Sequence, residues 1–212
     1  MAAVPSPVVF PALEFLDYIG IGVFAISGAL LAAQKRQTFV TFVFFAVVTG
    51  VGGGTVRDVL IGAPVFWIHE NWWVLICLMA ASLVWLTPLR LWGGRGLVWF
   101  DAVGLAVYAT YGAAKGLDYG AAPLPAFGMG VLTACAGGII RDVLAGEPSI
   151  LLRPELYVTA AALSAALMVA FSISGTPELL AGAIAATAGF TLRAAAIAKG
   201  WSLPAYSSSD ST

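Results

Sequence analysis

Charged residues are scarce in this chain of 212 residues. They make up 10% of the sequence, whereas hydrophobic residues make up 60%. Soluble domains carry about 25% charged residues, so this composition excludes an ordinary soluble domain. The mean hydropathy of +0.95 points the same way and predicts a membrane protein. The net charge of −1 also excludes the basic face that a nucleic-acid-binding protein needs, so we expect no nucleic-acid partner.

Histidine and cysteine are equally rare, with one His and two Cys in the chain. Cys77 and Cys135 both lie in apolar stretches, which predicts buried free thiols. His69 cannot complete a zinc site with them at any standard spacing. The glycine-rich stretch from Gly52 lacks the Gly-Lys-Ser/Thr of a phosphate-binding loop. We therefore expect no metal centre, no cofactor and no enzymatic activity. No basic stretch precedes the first apolar run, so we expect no cleaved signal peptide.

Long apolar stretches fill most of the chain. A membrane-spanning helix needs about 20 mostly apolar residues, and seven segments qualify. They run roughly over residues 15–33, 39–62, 72–89, 97–115, 124–145, 156–174 and 178–199. The predicted fold class is therefore an all-α polytopic membrane protein. A polar tail at 207–212 is predicted to be disordered.

The sequence contains an internal duplication. The motif GGGTVRDVLIG begins at Gly52, and AGGIIRDVLAG begins 84 residues later at Ala136. The same offset extends beyond the motif and relates Asp17 to Asp101. The repeats, 13–89 and 97–174, hold three spans each, so the second must enter the membrane inverted. The seventh helix, 177–199, has no duplicate and is predicted to serve packing or oligomer contact.

Lysine and arginine are distributed unevenly between the two sides of the membrane. The first, third and fifth loops and the C-terminal end carry Lys35, Arg36, Arg90, Arg95, Arg153, Arg193 and Lys199. Apart from the motif arginines, the opposite side receives only Lys115. The positive-inside rule then predicts an outside N-terminus and a cytoplasmic C-terminus. An anionic-lipid site at the basic loops is an alternative interpretation of those charges.

Two glycine clusters lie near the middle of the second and fifth spans. They comprise Gly52, Gly53, Gly54, Gly137 and Gly138. Each glycine costs about 1 kcal/mol relative to alanine inside a helix, so the clusters weaken both helices locally. One interpretation is a kink or break that turns backbone carbonyls towards a water-filled path. The other is close helix packing through small residues. The mirrored placement before a charge pair favours the kink.

A pair of adjacent charges follows each glycine cluster by about one helical turn. The four residues are Arg57, Asp58, Arg141 and Asp142. Ionised side chains at this depth are costly unless they are paired or hydrated, so a functional role in a pore or gate is the favoured interpretation. Structural salt bridges and arginines that reach the headgroups are the alternatives.

The partners of these charges follow from the topology. Neighbours in a helix point about 100° apart, so we expect each motif arginine not to pair with the adjacent aspartate. Asp17 lies at the depth of Arg57, and Asp101 lies at the depth of Arg141. We therefore predict two cross-helix pairs, each charge-assisted and bidentate. Charge is nearly balanced at each site, so the residues alone do not fix the sign of a transported ion.

The duplicated GG-x-x-R-D-V-L motif and the three-plus-three-plus-one layout resemble prokaryotic members of the trimeric intracellular cation channel family. Bacterial relatives of this kind often carry the label of a duplicated glycine-transporter domain. The resemblance extends over residues 14–199. It implies a homotrimer in which every protomer has its own hourglass pore, bounded by the first, second, fourth and fifth helices. It further implies conduction of monovalent cations, mainly K⁺, with Na⁺ as the other candidate.

The family resemblance also assigns roles to individual residues. It implies helix kinks at Gly53, Gly54, Gly137 and Gly138. It implies pore-lining or gating charges at Arg57, Asp58, Arg141 and Asp142. Animal members carry Lys-Glu where this chain has Arg-Asp, so phosphoinositide binding is not expected, although another bound membrane lipid is compatible with the resemblance. A carrier for a small zwitterion such as glycine is the second hypothesis, because carriers also use inverted repeats and broken helices.

Overall fold

The computed structural model describes residues 11–204, with side chains from Phe15 onward, and this part of the chain is all-helical. The predictions for the N-terminal stretch before residue 11 and for the tail at 207–212 lie outside the described residues. The helices are α1 (Pro11–Gln34), α2 (Phe39–Ile61), α3 (Asn71–Leu86), α4 (Gly96–Asp118), α5 (Pro123–Leu144), α6 (Val158–Ile173) and α7 (Glu178–Lys199). The prediction of an all-α fold with seven helices is confirmed.

The helices fall into two length classes. Within the described residues, α1, α2, α4, α5 and α7 are long and apolar enough to cross a membrane. Helices α3 and α6 have 16 residues each, or about 24 Å at 1.5 Å per residue, which is less than a typical bilayer core. The prediction that the third span continues to Leu89 is wrong. The helix ends at Leu86 because Thr87 precedes Pro88, and a residue before proline disfavours the helical conformation.

Packing of the helices repeats in the two halves. Helix α1 packs against α2 and α4, and α5 packs against α4 and α2, so these four form the centre of the bundle. Helix α3 lies against α1 and α2, and α6 lies against α4 and α5 in the same relation. Helix α7 packs on α6 and α4, outside the duplicated set. The mirrored contacts are those that a three-plus-three inverted repeat requires.

The loops after α2 and α5 begin with the same turn. Gly62 and Gly146 have φ values of 69° and 67°, a left-handed conformation that glycine adopts without strain. The next amide in each loop bonds back to the carbonyl of Asp58 at 2.8 Å and of Asp142 at 2.9 Å. Each loop is therefore folded back over the last turn of its helix, next to the motif charges.

Interlocked rings occupy the interface between the two halves. The rings of Phe24 on α1 and Tyr108 on α4, which are equivalent by the 84-residue offset, lie 5.2 Å apart. Each ring packs over a glycine of the opposite helix, Phe24 over Gly104 and Tyr108 over Gly20. The Tyr108 hydroxyl donates a hydrogen bond to the carbonyl of Gly50 at 3.0 Å. These contacts fill the centre of the four-helix bundle in this conformation.

Candidate functional site

The two glycine clusters lie where the backbones of α2 and α5 come close together. A Cβ atom on Gly53 would overlap the carbonyl oxygen of Thr133, and one on Gly137 would lie 2.6 Å from the carbonyl oxygen of Thr49. The two contacts are equivalent by the 84-residue offset. The absence of side chains therefore lets the two backbones touch across the symmetry of the repeat.

Both helices continue through their glycine clusters. Helix α2 is helical from Phe39 to Ile61, and α5 is helical from Pro123 to Leu144. The predicted break is therefore absent from these helices, whereas the predicted kink at the glycines stays a prediction. The alternative interpretation, close packing through small residues, describes what the backbone does here.

The last glycine of each cluster lies under an aromatic residue from outside the central helices. A Cβ on Gly54 would lie 2.6 Å from the ring of Phe66, in the short 3₁₀ helix after α2. A Cβ on Gly138 would lie 2.9 Å from the hydroxyl of Tyr157, just before α6. Each motif thus supports a loop or helix start that covers the nearby charges.

The first charge cluster comprises Asp17, Arg57, Asp58 and Lys115. Arg57 Nε donates to Asp58 Oδ1 at 2.8 Å, and Lys115 Nζ lies 2.9 Å from the same oxygen. Arg57 Nη2 lies 3.8 Å from Asp17 Oδ2, close enough for an ion pair but too far for a hydrogen bond. Both Arg57 and Asp58 are 0% exposed. This cluster is therefore sealed inside the bundle, apart from the partly exposed stem of Lys115.

Aromatic faces complete the surroundings of Arg57. Its guanidinium carbon lies 4.9 Å from the ring centroid of Tyr111 and 5.8 Å from that of Phe66. Such cation–π contacts strengthen when the cation is removed from water. Asp17 Oδ1 is buried and has no hydrogen-bond partner among the described residues. The first cluster thus holds two full positive charges and keeps one carboxylate oxygen unsatisfied.

The second charge cluster comprises Asp101, Arg141 and Asp142. Arg141 Nη1 donates to Asp101 Oδ1 at 2.7 Å and to the hydroxyl of Ser27 at 3.0 Å. Arg141 Nε donates to Asp142 Oδ1 at 2.8 Å. The guanidinium is therefore shared between α4, α1 and its own helix. Asp101 Oδ2 is buried and has no hydrogen-bond partner among the described residues.

The motif aspartates also hold the loops that follow them. Asp58 Oδ2 accepts a hydrogen bond from the amide of Phe66 at 3.1 Å, and Asp142 Oδ2 accepts one from the amide of Ile150 at 3.0 Å. Both amides lie eight residues after their aspartate, so the duplication preserves this bond. Each aspartate therefore connects its arginine to a loop, which fixes the position of the charge.

The predicted charge pairs are formed, although not in the predicted geometry. Asp101 contacts Arg141 directly, whereas the Asp17–Arg57 pair is longer and lacks a hydrogen bond. Neither carboxylate is held by two guanidinium nitrogens in the bidentate manner that we predicted. The expectation that adjacent Arg and Asp do not pair is wrong in both repeats. The 100° rule describes Cβ directions, and the long arginine side chain turns back to its neighbour.

Sequence reasoning missed three contributors to the site. Lys115 was considered only in the prediction of orientation, but it binds Asp58. Ser27 and Tyr111, which contact the two arginines, carried no signal of their own. They occupy equivalent positions in the two repeats, so a search along the 84-residue offset on the helices facing the motifs could have found both.

The second charge cluster borders a cavity. A cavity of about 450 Å³ reaches Arg141 and Asp142 from the side of the α1–α2 loop. At its wall, Lys35 Nζ lies 2.6 Å from Glu147 Oε1. Hydrogen bonding and charge attraction from Lys35 lower the pKa of the Glu147 carboxyl. An exposed ion pair thus lies beside the path from solution to the second cluster.

The buried charges leave little freedom for substitution. Removing one partner of a buried ion pair costs about 3–5 kcal/mol, because the other charge stays buried without compensation.

Cys77 and Cys135 are buried free thiols, as predicted. Among residues 11–204, no group of three or more His, Cys, Asp or Glu side chains is placed to hold a metal ion.

Sequence comparison relates both halves of the chain to one family. A family model described as "Glycine transporter" matches residues 14–88 and 98–173. A UPF0126 membrane protein of Vibrio cholerae is 40% identical over 154 residues, which cover 70% of this chain and 63% of that protein. The UPF0126 inner membrane protein YadS of Escherichia coli is 37% identical over 159 residues, covering 69% of this chain and 72% of that protein.

Structure comparison finds similar folds among solved channels. The trimeric intracellular cation (TRIC) channel orthologue from Rhodobacter sphaeroides is 43% identical with a TM-score of 0.83, covering 89% of this chain and 98% of the other. A prokaryotic TRIC channel solved in 0.5 M KCl is 31% identical with a TM-score of 0.80, covering 90% and 98%. A channel of the same name from Caenorhabditis elegans is 14% identical with a TM-score of 0.62, and this likeness concerns the fold alone.

Proposed function

The chain belongs to the glycine transporter family, and from that premise we propose that it is a channel for monovalent cations with a pore inside each protomer. The main observation in support of this proposal is the placement of the two charge clusters. The two clusters are equivalent by the duplication. We use the word seam for the region where α1, α2, α4 and α5 pack together, and each cluster lies in one half of it. Buried ionisable groups within apolar spans mark ion pathways more often than they mark plain structural sites.

The solved relatives support transport of cations rather than of another solute, since their names describe cation channels. Four carboxylates in the two clusters supply negative charge along the seam: Asp17, Asp58, Asp101 and Asp142. The arginines balance much of that charge, which keeps ion binding weak enough for release. We propose potassium as the main permeant ion.

We propose that the conformation described here is closed at the centre of the seam. The Phe24 and Tyr108 rings and the contact between the glycine backbones fill the space there. Conduction therefore requires α2 and α5 to separate or bend. We propose that the glycine clusters are the bending points, because they lack the side chains that stiffen a helix and they form the contact that must open.

The remaining parts of the proposal concern assembly and placement. We propose a homotrimer in the inner membrane, with the N-terminus outside and the C-terminus in the cytoplasm. The names of the solved trimeric channels and of the inner membrane relative support the first two statements. The basic residues of the first, third and fifth loops support the third.

A recording of the purified protein in a planar bilayer with a KCl gradient tests this function. We expect unitary current steps with a reversal potential near that of potassium. Asp101→Asn and Arg141→Asn should change those currents in parallel, since the two side chains share a hydrogen bond of 2.7 Å. Saturable glycine uptake into liposomes without unitary currents would overturn the proposal.

The second candidate function is a carrier for a small zwitterion such as glycine. The description of the matching family favours it, and inverted repeats occur in carriers as well as in channels. A carrier would bind glycine at saturable sites and would carry no unitary current, so the same two measurements separate the candidates.

A further inference from the structure

The two charge clusters are equivalent in their motif residues but differ in charge at one equivalent pair of positions. Lys115 on α4 belongs to the first cluster, and the residue 84 positions earlier, on α1, is Leu31. Lys115 Nζ lies 2.9 Å from Asp58 Oδ1. Leu31 lies in the wall of the 450 Å³ cavity, together with Arg141 and Asp142. An ammonium group therefore contacts the motif carboxylate in one repeat, and a hydrocarbon side chain takes its place in the other.

The replacement of a lysine by a leucine changes the formal charge of the clusters. The first cluster contains two cations and two carboxylates and is formally neutral. The second contains one arginine and two carboxylates, which leaves one negative charge. Three further charges lie outside the two clusters. Lys35 pairs with Glu147, Arg153 lies exposed at the cavity, and Asp118 on α4 interacts with Lys115. These more exposed charges are screened by water and salt to a greater extent than the buried clusters.

The ammonium of Lys115 contacts a carboxylate that could otherwise attract a permeating cation. It carries the same charge as a monovalent ion, and its stem attaches it to α4. Among the described residues, the equivalent carboxylate of Asp142 has no lysine contact and borders the cavity. On the premise of the proposed function, we propose that Lys115 is a tethered cation that neutralises the first half of the pore. The second half is then the end that concentrates permeating cations.

A pore that is neutral at one end and negative at the other conducts asymmetrically. Cations that enter through the cavity meet an attractive site first, so current carried from that side is larger at equal voltage. One elementary charge at 4–10 Å in a wet pore changes local ion occupancy by about two- to five-fold. We therefore expect the larger current to exceed the smaller by about two- to five-fold at equal and opposite voltages.

The test measures single-channel currents at opposite voltages in symmetric KCl, in excised patches that keep one orientation of the protein. Lys115→Leu makes the two repeats alike, and we expect the current ratio to move towards one. Leu31→Lys should have the complementary effect by reducing current carried from the cavity side. The double variant should reverse the asymmetry, and Lys115→Arg, which keeps the charge, should leave its direction unchanged.

The outcomes separate this inference from the proposed function. A wild-type protein that carries no unitary current would overturn both. A conducting wild-type whose current ratio does not respond to Lys115→Leu or to Leu31→Lys would overturn the role of Lys115 alone. If Lys115→Leu does not assemble, as judged by its elution profile in detergent, Leu31→Lys still decides the matter from the other repeat.

Discussion

The contact of Gly137 with the opposite helix should respond sharply to one added methyl group. A Cβ at position 137 would lie 2.6 Å from the carbonyl oxygen of Thr49, whereas ordinary contacts begin near 3.4 Å. The helices must therefore separate by about 0.8 Å, the difference between these distances. Backbone atoms line the contact, so no side chain can rotate away. Overpacking of this kind costs about 1–3 kcal/mol.

Gly128 in the same helix provides a matched control. A Cβ there would meet nothing within 4 Å, so Gly128→Ala gains only the helix propensity of alanine, about 1 kcal/mol. Gly137→Ala gains the same propensity but also forces the helices apart. We expect the free energy of unfolding of Gly137→Ala to be about 1–3 kcal/mol below that of Gly128→Ala. Denaturant titration of both variants in the same detergent measures the difference.

The same pair of variants tests the role of the contact in opening the pore. We expect Gly137→Ala, and its equivalent Gly53→Ala, to raise the open probability because they wedge the closed seam. Gly128→Ala should leave the open probability unchanged. If Gly137→Ala proves as stable as the control and opens no more often, then α2 and α5 do not close the pore through this contact.

Three further predictions concern the ion pairs. Arg141→Ala should lower the free energy of unfolding by about 3–5 kcal/mol and alter the unitary conductance, because it leaves Asp101 buried without its cation. An unchanged denaturation curve would contradict this prediction. Glu147→Gln should lower the melting temperature at neutral pH but not in acid. The pKa of this exposed carboxyl is lowered in the folded state. Its contribution to stability is therefore present above the unfolded pKa and is lost as the pH falls through the folded pKa. A difference in melting temperature that does not depend on pH would contradict this prediction. Arg193→Gln should lower the free energy of unfolding by about 1–3 kcal/mol. In this variant α7 loses the ion pair between the buried Arg193 and the partly exposed Glu155, and also the contact with the Tyr157 ring. A variant as stable as the wild type would show that α7 does not depend on this arginine.

Local patterns in the sequence predict much of the architecture. Apolar runs of about 20 residues gave the long helices to within a few residues at most ends, because lipid accepts few other backbones. The short third and sixth helices were harder to delimit, since apolar residues continue past Pro88 and into the loop before α6. Hydropathy does not register the backbone effect of a proline, so the predicted third span was too long.

The duplication also carried part of the site. An offset of 84 residues identified the motif charges and paired Asp17 with Arg57 and Asp101 with Arg141. This worked because an inverted repeat places equivalent residues at equivalent depth on opposite sides. Pairing by depth needs no knowledge of side-chain conformation.

The sequence by itself determined where the motif charges, Asp17 and Asp101 lie along the helices, because charged residues are rare in apolar spans. Only the tertiary structure decided how those charges are satisfied. Lys115 reaches Asp58, each arginine turns back to its neighbour, and the glycine backbones touch across the seam. The physical reason is that long side chains choose partners by distance in space. Contacts between helices depend on the angle at which the helices cross, and this angle cannot be predicted from any single stretch of sequence.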